Sequence, residues 1–255
     1  MEENKRLILL CNDDGYHAKG INALADMVKD FAYVLVCAPD SARSGFGCAF
    51  SATQYLLLKK RRQWEWGEMW SCNGTPVDCV KMALSRLCPR QPDLIIGGIN
   101  HGDNSSVNVH YSGTVGVALE GAMKYIPSLA FSLCDYADDA DFEPLRPYVR
   151  KMVERVLREG MERGVCLNVN FPATSVFRGV RVCRMAAGTW FNETVKCGHP
   201  RGYDYYWMVG EYKNDEPQAE DTDRWALEHG YVAVTPTRID VTSYEAMAKL
   251  TEWQE

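Results

Sequence analysis

The fold class is decided by the stretch LILLCNDDG at residues 7–15. Its first five residues are all apolar, which is typical of a strand buried on both faces of a parallel sheet. Residues 20–30 then carry apolar side chains at helical spacing, and residues 33–38 form a second apolar run that ends at Pro39. This strand–helix–strand order predicts a βαβ unit, with residues 12–15 in the turn after the first strand.

The same alternation continues to about residue 159. We predict further strands at 94–96 and 129–133, and helices from 75 to about 87, from 112 to about 124 and at 143–159. These elements predict an α/β fold on a parallel sheet. Two more strands are predicted at 53–58 and 68–72, and we interpret the basic segment KKRRQW at 59–64 between them as a solvated turn.

The pattern changes after residue 167. Strands are predicted at 167–171, 180–182 and 231–234, with a short helix near 222–229. Between them, residues 185–213 are rich in aromatic residues and glycine, and this composition predicts an extended hairpin arm. An isolated hairpin is marginally stable in water, so we expect the arm to pack on another subunit. We take residues 1–255 as one α/β domain that carries this arm.

Composition and charge exclude several classes of protein. With 46% hydrophobic and 24% charged residues, the chain is neither disordered nor collagen-like. Its net charge of −6 gives no reason to expect nucleic-acid binding, and no apolar run approaches the ~20 residues of a membrane span. The start, MEENKR, is too acidic and the following apolar run too short for a secretory signal, so we expect a cytoplasmic protein.

The ten cysteines form no Cys-x-x-Cys pair and mostly lie in apolar runs. We therefore interpret them as small buried hydrophobic residues rather than as a disulfide or zinc framework.

Candidate chemistry lies just after the predicted strands, where open parallel sheets bind their ligands. The carboxylates of Asp13 and Asp14 follow the first strand, and a turn at Gly15 lets them converge on a cation such as Mg²⁺ or Mn²⁺. After the second strand, residues 41–47 offer a hydroxyl, a guanidinium and glycines to an anion. The alternatives without a functional role are an ordinary Asp-Asp-Gly turn for the first cluster and a flexible surface loop for the second.

Two further clusters have the same character. The side-chain amides within residues 97–104 suit a neutral metal ligand and phosphate donors, and Ser112 to Thr114 open a helix whose N-terminus attracts anions. A glycine turn and a simple helix cap are the respective alternatives. Residues 74–78 are explained almost entirely by helix capping. The histidines near these clusters, His17, His101 and His110, have no metal-binding spacing.

Taken together and in order, these clusters resemble the SurE family of survival-protein nucleotidases. The matching motifs are Asn12-Asp13-Asp14-Gly15, Ala38-Pro39-Asp40 with Arg43-Ser44-Gly45, Asn73 to Cys79, Gly98-Ile99-Asn100 with Gly102 and Asn104, Tyr111 to Val115 with Glu120-Gly121, Leu167 to Pro172, Pro200-Arg201-Gly202, and Thr222-Asp223 through Pro236. The resemblance extends over nearly the whole chain.

The resemblance implies a Rossmann-like, three-layer parallel-sheet core with a C-terminal β-hairpin arm exchanged between subunits of a homodimer or homotetramer. It implies a phosphatase that acts on nucleoside 5′- and 3′-monophosphates, and in some members on short polyphosphate. One divalent metal per subunit, Mg²⁺ or Mn²⁺, would be held by Asp13, Asp14, Ser44 and Asn100, with the two aspartates catalytic. The residues expected to contact phosphate are Gly45, Asn104, Ser112, Gly113 and Thr114.

The chain departs from the family pattern at Ser106, where members usually have glycine. This difference bears on the conformation of the substrate loop rather than on the metal ligands. Two other functions stay open at this point: a catalytically silent protein that binds nucleotide or polyphosphate in a stress response, and a metal-dependent hydrolase of another ester or amide.

Overall fold

A nine-stranded sheet forms the centre of the protein, described by a computed structural model over residues 5–137 and 139–253. In chain order, the strands are β1 (Leu7–Cys11), β2 (Tyr33–Pro39), β3 (Leu58–Trp64), β4 (Gly67–Cys72), β5 (Leu94–His101), β6 (Ser128–Leu133), β7 (Val165–Phe171), β8 (Val180–Val182), β9 (Gly188–Phe191), β10 (Thr194–Gly198), β11 (Asp204–Met208), β12 (Glu211–Asn214) and β13 (Val232–Arg238). Strands β9 to β12 lie outside the nine-stranded sheet. The order in the sheet is β3-β4-β2-β1-β5-β6-β7-β13-β8. The antiparallel pairs are β3 with β4 and β13 with β7.

Helices lie on both faces of this sheet. The helices are α1 (Lys19–Val28), α2 (Pro76–Met82), α3 (Gly113–Met123), α4 (Arg146–Glu159), α5 (Asp223–Glu228) and α6 (Tyr244–Lys249). Helices α1 and α4 cover one face of the sheet, and α2 and α3 cover the other. A π-helical turn, Ala83–Leu87, extends α2, and short 3₁₀ helices occupy Ser106–His110, Glu143–Leu145 and Leu250–Trp253. The expected three-layer α/β architecture is confirmed.

Strand β1 shows why its sequence is apolar throughout. Ile8 and Leu10 point into the core beneath α1 and α4, whereas Leu7, Leu9 and Cys11 point into the core beneath α2 and α3. All five side chains are fully buried. A strand covered on both faces has no polar side to alternate with, so hydrophobic burial fixes its place near the centre of the sheet.

The interpretation of residues 59–64 as a turn is wrong. These residues belong to β3, an edge strand that pairs with β4, and residues 53–57 before it are not a strand. Apolar patterning could not reveal β3 because its side chains are mostly exposed. Lysine and arginine are common on such strands because charge discourages edge-to-edge association.

The arm is a long hairpin in which β9 pairs with β12 and β10 pairs with β11. Large side chains along β11 are exposed, among them Tyr206, Trp207 and Met208. The C-terminal helix α6, capped by Ser243, was not predicted from the sequence.

All ten cysteines are free, and six of them are buried, which agrees with their interpretation as buried hydrophobic residues. Within the described residues, no helix is both long and apolar enough to cross a membrane. Residues 1–4, part of the segment expected to lack a secretory signal, lie outside the described residues.

Candidate active site

The predicted clusters meet at the carboxyl ends of the parallel strands. A cavity of about 400 Å³ opens there, between the β1–α1 turn, the loop after β2, the end of β5 and the N-terminus of α3. Six of the nine residues expected from the family resemblance line the cavity: Asp13, Ser44, Gly45, Asn100, Asn104 and Ser112. The other three, Asp14, Gly113 and Thr114, contact these residues or the end of β5.

The β1–α1 turn is held by its own polar side chain. Buried Asn12 donates from Nδ2 to the carbonyl of Gly15 at 3.0 Å and accepts from the Gly15 N–H at 3.2 Å. Gly15 has a φ of +96°, a value that glycine adopts without the strain that a side chain would add. The turn thus fixes Asp13 and Asp14 immediately beyond the strand.

Asp13 is buried against the start of α3. Its Oδ1 accepts a hydrogen bond from the Thr114 hydroxyl at 2.6 Å. A Cβ on Gly113 would lie 2.7 Å from the Asp13 Cβ, so only glycine allows the helix to come this close. Burial raises the pKa of Asp13 from 3.8 to about 6, although the Thr114 hydroxyl opposes this effect.

Asp14 lies on the other side of the turn and faces the end of β5. Its Oδ2 accepts a hydrogen bond from the His101 N–H at 3.3 Å, and the His101 Nδ1 is 3.9 Å from the same oxygen. Burial is the main cause that raises the pKa of Asp14. Asp13 is thus buried and Asp14 partly buried, and in both cases burial raises the pKa and disfavours the ionised carboxylate.

No lysine or arginine among the described residues forms an ion pair with Asp13 or Asp14. Burying two like charges without a compensating cation is unfavourable. A bound divalent cation would supply the missing charge, and carboxylate oxygens are the ligands that Mg²⁺ and Mn²⁺ prefer. The carboxylate pair therefore fits the metal that the family resemblance implies.

Asn100 offers one further oxygen. Its Nδ2 donates to the carbonyls of His101 and Gly102 at 3.2 and 3.0 Å, which leaves Oδ1 as the atom available to a ligand. Ser44 lies on the exposed loop after β2 beside Gly45, and the Arg43 N–H of this loop donates to the Asp13 carbonyl at 2.7 Å. In the described part of the chain, no three His, Cys, Asp or Glu side chains group closely enough to hold a metal, so the set has two carboxylates, an amide and a hydroxyl.

The start of α3 is the candidate site for an anion. Ser112 is the N-cap, and its hydroxyl accepts from the Val115 N–H at 3.0 Å. The Ser112 side chain therefore acts as a helix cap, as the alternative interpretation expected. The Thr114 hydroxyl donates to Asp13. What α3 presents to an anion is chiefly its N-terminal peptide dipoles, next to the buried carboxylates.

Asn104 is buried in a network of amides that the sequence analysis did not predict. Its Nδ2 donates to the Ser132 hydroxyl at 2.7 Å, and its backbone N–H donates to Asn170 Oδ1 at 2.9 Å. The Asn168 Nδ2 donates to the Asn104 carbonyl at 2.8 Å and so completes the support. The buried asparagines of β7 were the available signal, because polar residues in a strand that is otherwise apolar need partners.

Aromatic residues complete the wall of the cavity, and the sequence analysis did not place them there. Trp190 comes from the arm and donates from Nε1 to Asn108 Oδ1 at 2.8 Å. Tyr136 packs over Gly102, where a Cβ would lie 2.4 Å from the ring. His101, Asp103 and Tyr111 also line the cavity.

Two other predicted features have structural roles. Thr75 and Asp78 form the capping box of α2, and Asp78 also accepts from the Ser51 N–H, so residues 74–78 act as a helix start.

Ser106 has a φ of +51°, a left-handed conformation that suits the glycine expected at this position from the family resemblance. Its hydroxyl donates to the Ala186 carbonyl at 2.8 Å and accepts from the Tyr212 hydroxyl at 2.7 Å, which ties the turn at Ser106 to the base of the arm.

Comparison with known proteins gives one consistent result. A family model described as "Survival protein SurE" matches residues 8–192. The chain is 53% identical to a protein of Phocaeicola vulgatus named "5'-nucleotidase SurE" over 253 residues, with 99% of this chain and 98% of the relative covered. It is 50% identical to a protein of the same name from Bacteroides thetaiotaomicron, with 96% and 94% covered.

Among solved structures, the chain is similar to the crystal structure of the SurE protein from Aquifex aeolicus. The two chains share 35% sequence identity, and the TM-score is 0.81 over 98% of this chain and 100% of that one. The similarity therefore covers the sheet, the helices and the arm together.

Proposed function

The chain belongs to the SurE family, and on this premise we propose that it is a 5′-nucleotidase, which hydrolyses nucleoside 5′-monophosphates to nucleoside and phosphate. The observation that carries the proposal is the pair of adjacent carboxylates, Asp13 buried and Asp14 partly buried, that has no lysine or arginine partner among the described residues and lies beside the N-terminus of α3. The names of the relatives from Phocaeicola vulgatus and Bacteroides thetaiotaomicron support the same reaction.

The reaction depends on one divalent metal, Mg²⁺ or Mn²⁺, which Asp13, Asp14, Ser44 and Asn100 would hold. When bound, such a cation neutralises phosphate charge and favours the deprotonation of water near neutral pH. We assign Asp13 and Asp14 as the residues on which catalysis depends, because they carry the negative charge of the set.

The chain's own residues orient this site. The Thr114 hydroxyl holds the Asp13 carboxylate, and the His101 N–H holds that of Asp14. The N-terminus of α3 and the backbone at Gly45 stabilise negative charge on the phosphoryl oxygens, which is the main task of a protein in phosphoryl transfer. Gly45 suits this role because its φ of +81° turns the loop without a side chain in the way.

The phosphate contacts assigned here are Gly45, Asn104, Ser112, Gly113 and Thr114. We assign water, rather than an aspartate, as the attacking group, since both carboxylates would hold the metal and already accept hydrogen bonds from Thr114 and His101.

A second cavity of about 400 Å³ adjoins the first and shares Asp103, Asn108, Tyr136 and Trp190 with it. Its aromatic walls suit the base and sugar of a nucleotide, since aromatic rings stack on bases. This arrangement supports a nucleoside monophosphate, 5′ or 3′, as substrate rather than a small phosphoester. Short polyphosphate is a further candidate substrate of the same metal site.

We also propose that the arm, residues 185–213 in the sequence prediction, joins subunits into a homodimer or homotetramer. Its exposed aromatic side chains gain stability only when another surface covers them. The ten free cysteines suit a reducing compartment, and we place the enzyme in the cytoplasm, as one α/β domain.

Phosphate release tests the proposal. Purified protein is incubated with 5′- and 3′-nucleoside monophosphates and with glycerol phosphate, in Mn²⁺, Mg²⁺ or EDTA. We expect release from the nucleotides that needs metal, with glycerol phosphate the poorest substrate. If well-folded protein binds nucleotide with metal but releases no phosphate, the nucleotidase proposal fails in favour of a silent binding protein.

A further inference from the structure

A third cavity lies between the start of α1 and the edge strand β3, and it shares no described lining residue with the candidate active site. Its volume is about 590 Å³, within the usual range of ligand pockets. The residues that line it are Tyr16, His17, Lys19, Asn22, Ala23, Arg61, Arg62 and Met69. None of them lines the active-site cavity.

A β-bulge directs two consecutive arginines into this cavity. Successive side chains of a regular strand point to opposite faces. In β3, however, Lys60 pairs with Trp70 and Arg62 pairs with Met69, so Arg61 is an extra residue with no partner opposite. Bulges of this kind redirect side chains, and here the result is that Arg61 and Arg62 line the same space.

The guanidinium groups keep most of their donors available. Arg61 donates from Nε to the Ser71 hydroxyl at 2.8 Å and lies over the Tyr16 ring at 4.6 Å. These contacts hold the group in place without using its two terminal nitrogens. The Arg62 guanidinium lies over the Trp64 ring at 5.6 Å and donates no hydrogen bond to any described residue.

The described residues that line the cavity carry positive charge and include no aspartate or glutamate. Lys19 donates to the carbonyls of Asp139 and Ala140. Neighbouring Lys60, by contrast, is paired with Glu68 at 2.7 Å. Three cations converge on one cavity of a chain whose net charge is −6, so this concentration is local and not a general property of the surface.

Protection of the sheet edge explains why β3 is charged. It does not explain why the bulge brings both arginines to one cavity beside α1 rather than to opposite faces of the sheet. Planar guanidinium forks bind phosphate oxygens in pairs, and one phosphate dianion would leave one of the three cations uncompensated.

We propose that this cavity is a binding site for a compact polyvalent phosphate, that is, a chain of two or more linked phosphates. Arg61 and Arg62 are its principal contacts, Lys19 adds charge, and the Tyr16 hydroxyl is a further donor. The ligand can be an inorganic polyphosphate or the phosphate tail of a nucleoside triphosphate. Because this site is separate from the carboxylate pair, it does not need the metal.

Calorimetric titration in EDTA tests the proposal, with tripolyphosphate, adenosine triphosphate and adenosine as probes. We expect wild-type protein to bind tripolyphosphate and not adenosine. The double variant Arg61→Gln/Arg62→Gln should weaken binding by at least about tenfold, since each charge-assisted contact is strong. The matched control Arg155→Gln/Arg158→Gln removes the same charge from exposed positions on α4 and should change binding by less than about twofold.

The two sources of ligand are distinguished by comparing the two anionic probes. Tighter binding of adenosine triphosphate indicates a nucleotide, and equal or weaker binding indicates the inorganic chain. The single variant Arg62→Gln serves as a second test because the Arg62 guanidinium makes no hydrogen bond to a described residue whose loss would disturb folding. The proposal is overturned if wild-type protein binds no tripolyphosphate, or if the α4 control loses as much affinity as the β3 variants.

Discussion

Replacing Asp13 by asparagine should make the metal-free protein more stable near neutral pH, although it removes a residue that we assign to catalysis. Burial raises the pKa of Asp13 from 3.8 to about 6, so the folded state binds this proton more tightly than the unfolded state. Stability therefore falls as pH rises from about 4 to about 6. The difference of about two pH units corresponds to about 3 kcal/mol at neutral pH.

Asparagine cannot ionise and avoids this cost, and its Oδ1 can still accept from the Thr114 hydroxyl. Its amide nitrogen, however, replaces an oxygen that accepts hydrogen bonds, so we expect a net gain of about 1–3 kcal/mol at pH 8. At about pH 4 or below the two proteins should be equally stable, because Asp13 is then protonated in the folded state.

Urea denaturation in EDTA at about pH 4 and pH 8 measures this difference. The exposed carboxylate of Asp40 lies at the same end of the sheet, and Asp40→Asn should show no comparable gain. Saturating Mn²⁺ should reverse the order, since wild-type protein gains about 4.1 kcal/mol at a thousand times the dissociation constant. If Asp13→Asn is no more stable than wild type at pH 8 in EDTA, the buried, uncompensated carboxylate is not what the structure indicates.

Three further variants test separate parts of the structure. Thr114→Val removes a hydrogen bond that lowers the pKa of Asp13, so the rising limb of the kcat profile should move to higher pH and kcat at pH 7 should fall by about tenfold or more. Ser106→Ala leaves the Tyr212 hydroxyl without its acceptor and should lower the free energy of unfolding by about 1–2 kcal/mol in urea denaturation. Trp207→Lys, at a residue that is 62% exposed, should leave the chain folded by circular dichroism but reduce its oligomeric state in sedimentation.

The central part of the fold could be predicted because hydrophobic burial alone specifies it. In β1, β2 and β5 almost every side chain is buried, and apolar runs of that length between helical patterns allow few other arrangements. Charged β3 and exposed α6 could not be predicted in this way. Both elements have mostly or entirely exposed side chains, so their sequences carry little apolar pattern.

The position of the candidate site could be predicted from the rule that open parallel sheets bind ligands at the carboxyl ends of their strands. That rule brings the residues after β1, β2 and β5 to one edge of the sheet, and the structure places Asp13, Ser44 and Asn100 around one cavity. The hydrogen bond between Thr114 and Asp13 joins residues 101 positions apart. Trp190 reaches the cavity only because the arm folds back over the substrate loop, and no local pattern encodes such contacts.

The most direct test of the metal-dependent nucleotidase assignment is phosphate release from adenosine 5′-monophosphate in saturating Mn²⁺, with wild type, Asp14→Asn and Asp40→Asn compared side by side. We predict that Asp14→Asn loses at least about a thousandfold in rate, because charge stabilisation at the metal supplies most of the catalysis, while Asp40→Asn stays close to wild type. Activity of folded Asp14→Asn within about tenfold of wild type would contradict the assignment, because a residue needed to hold the cation cannot be dispensable.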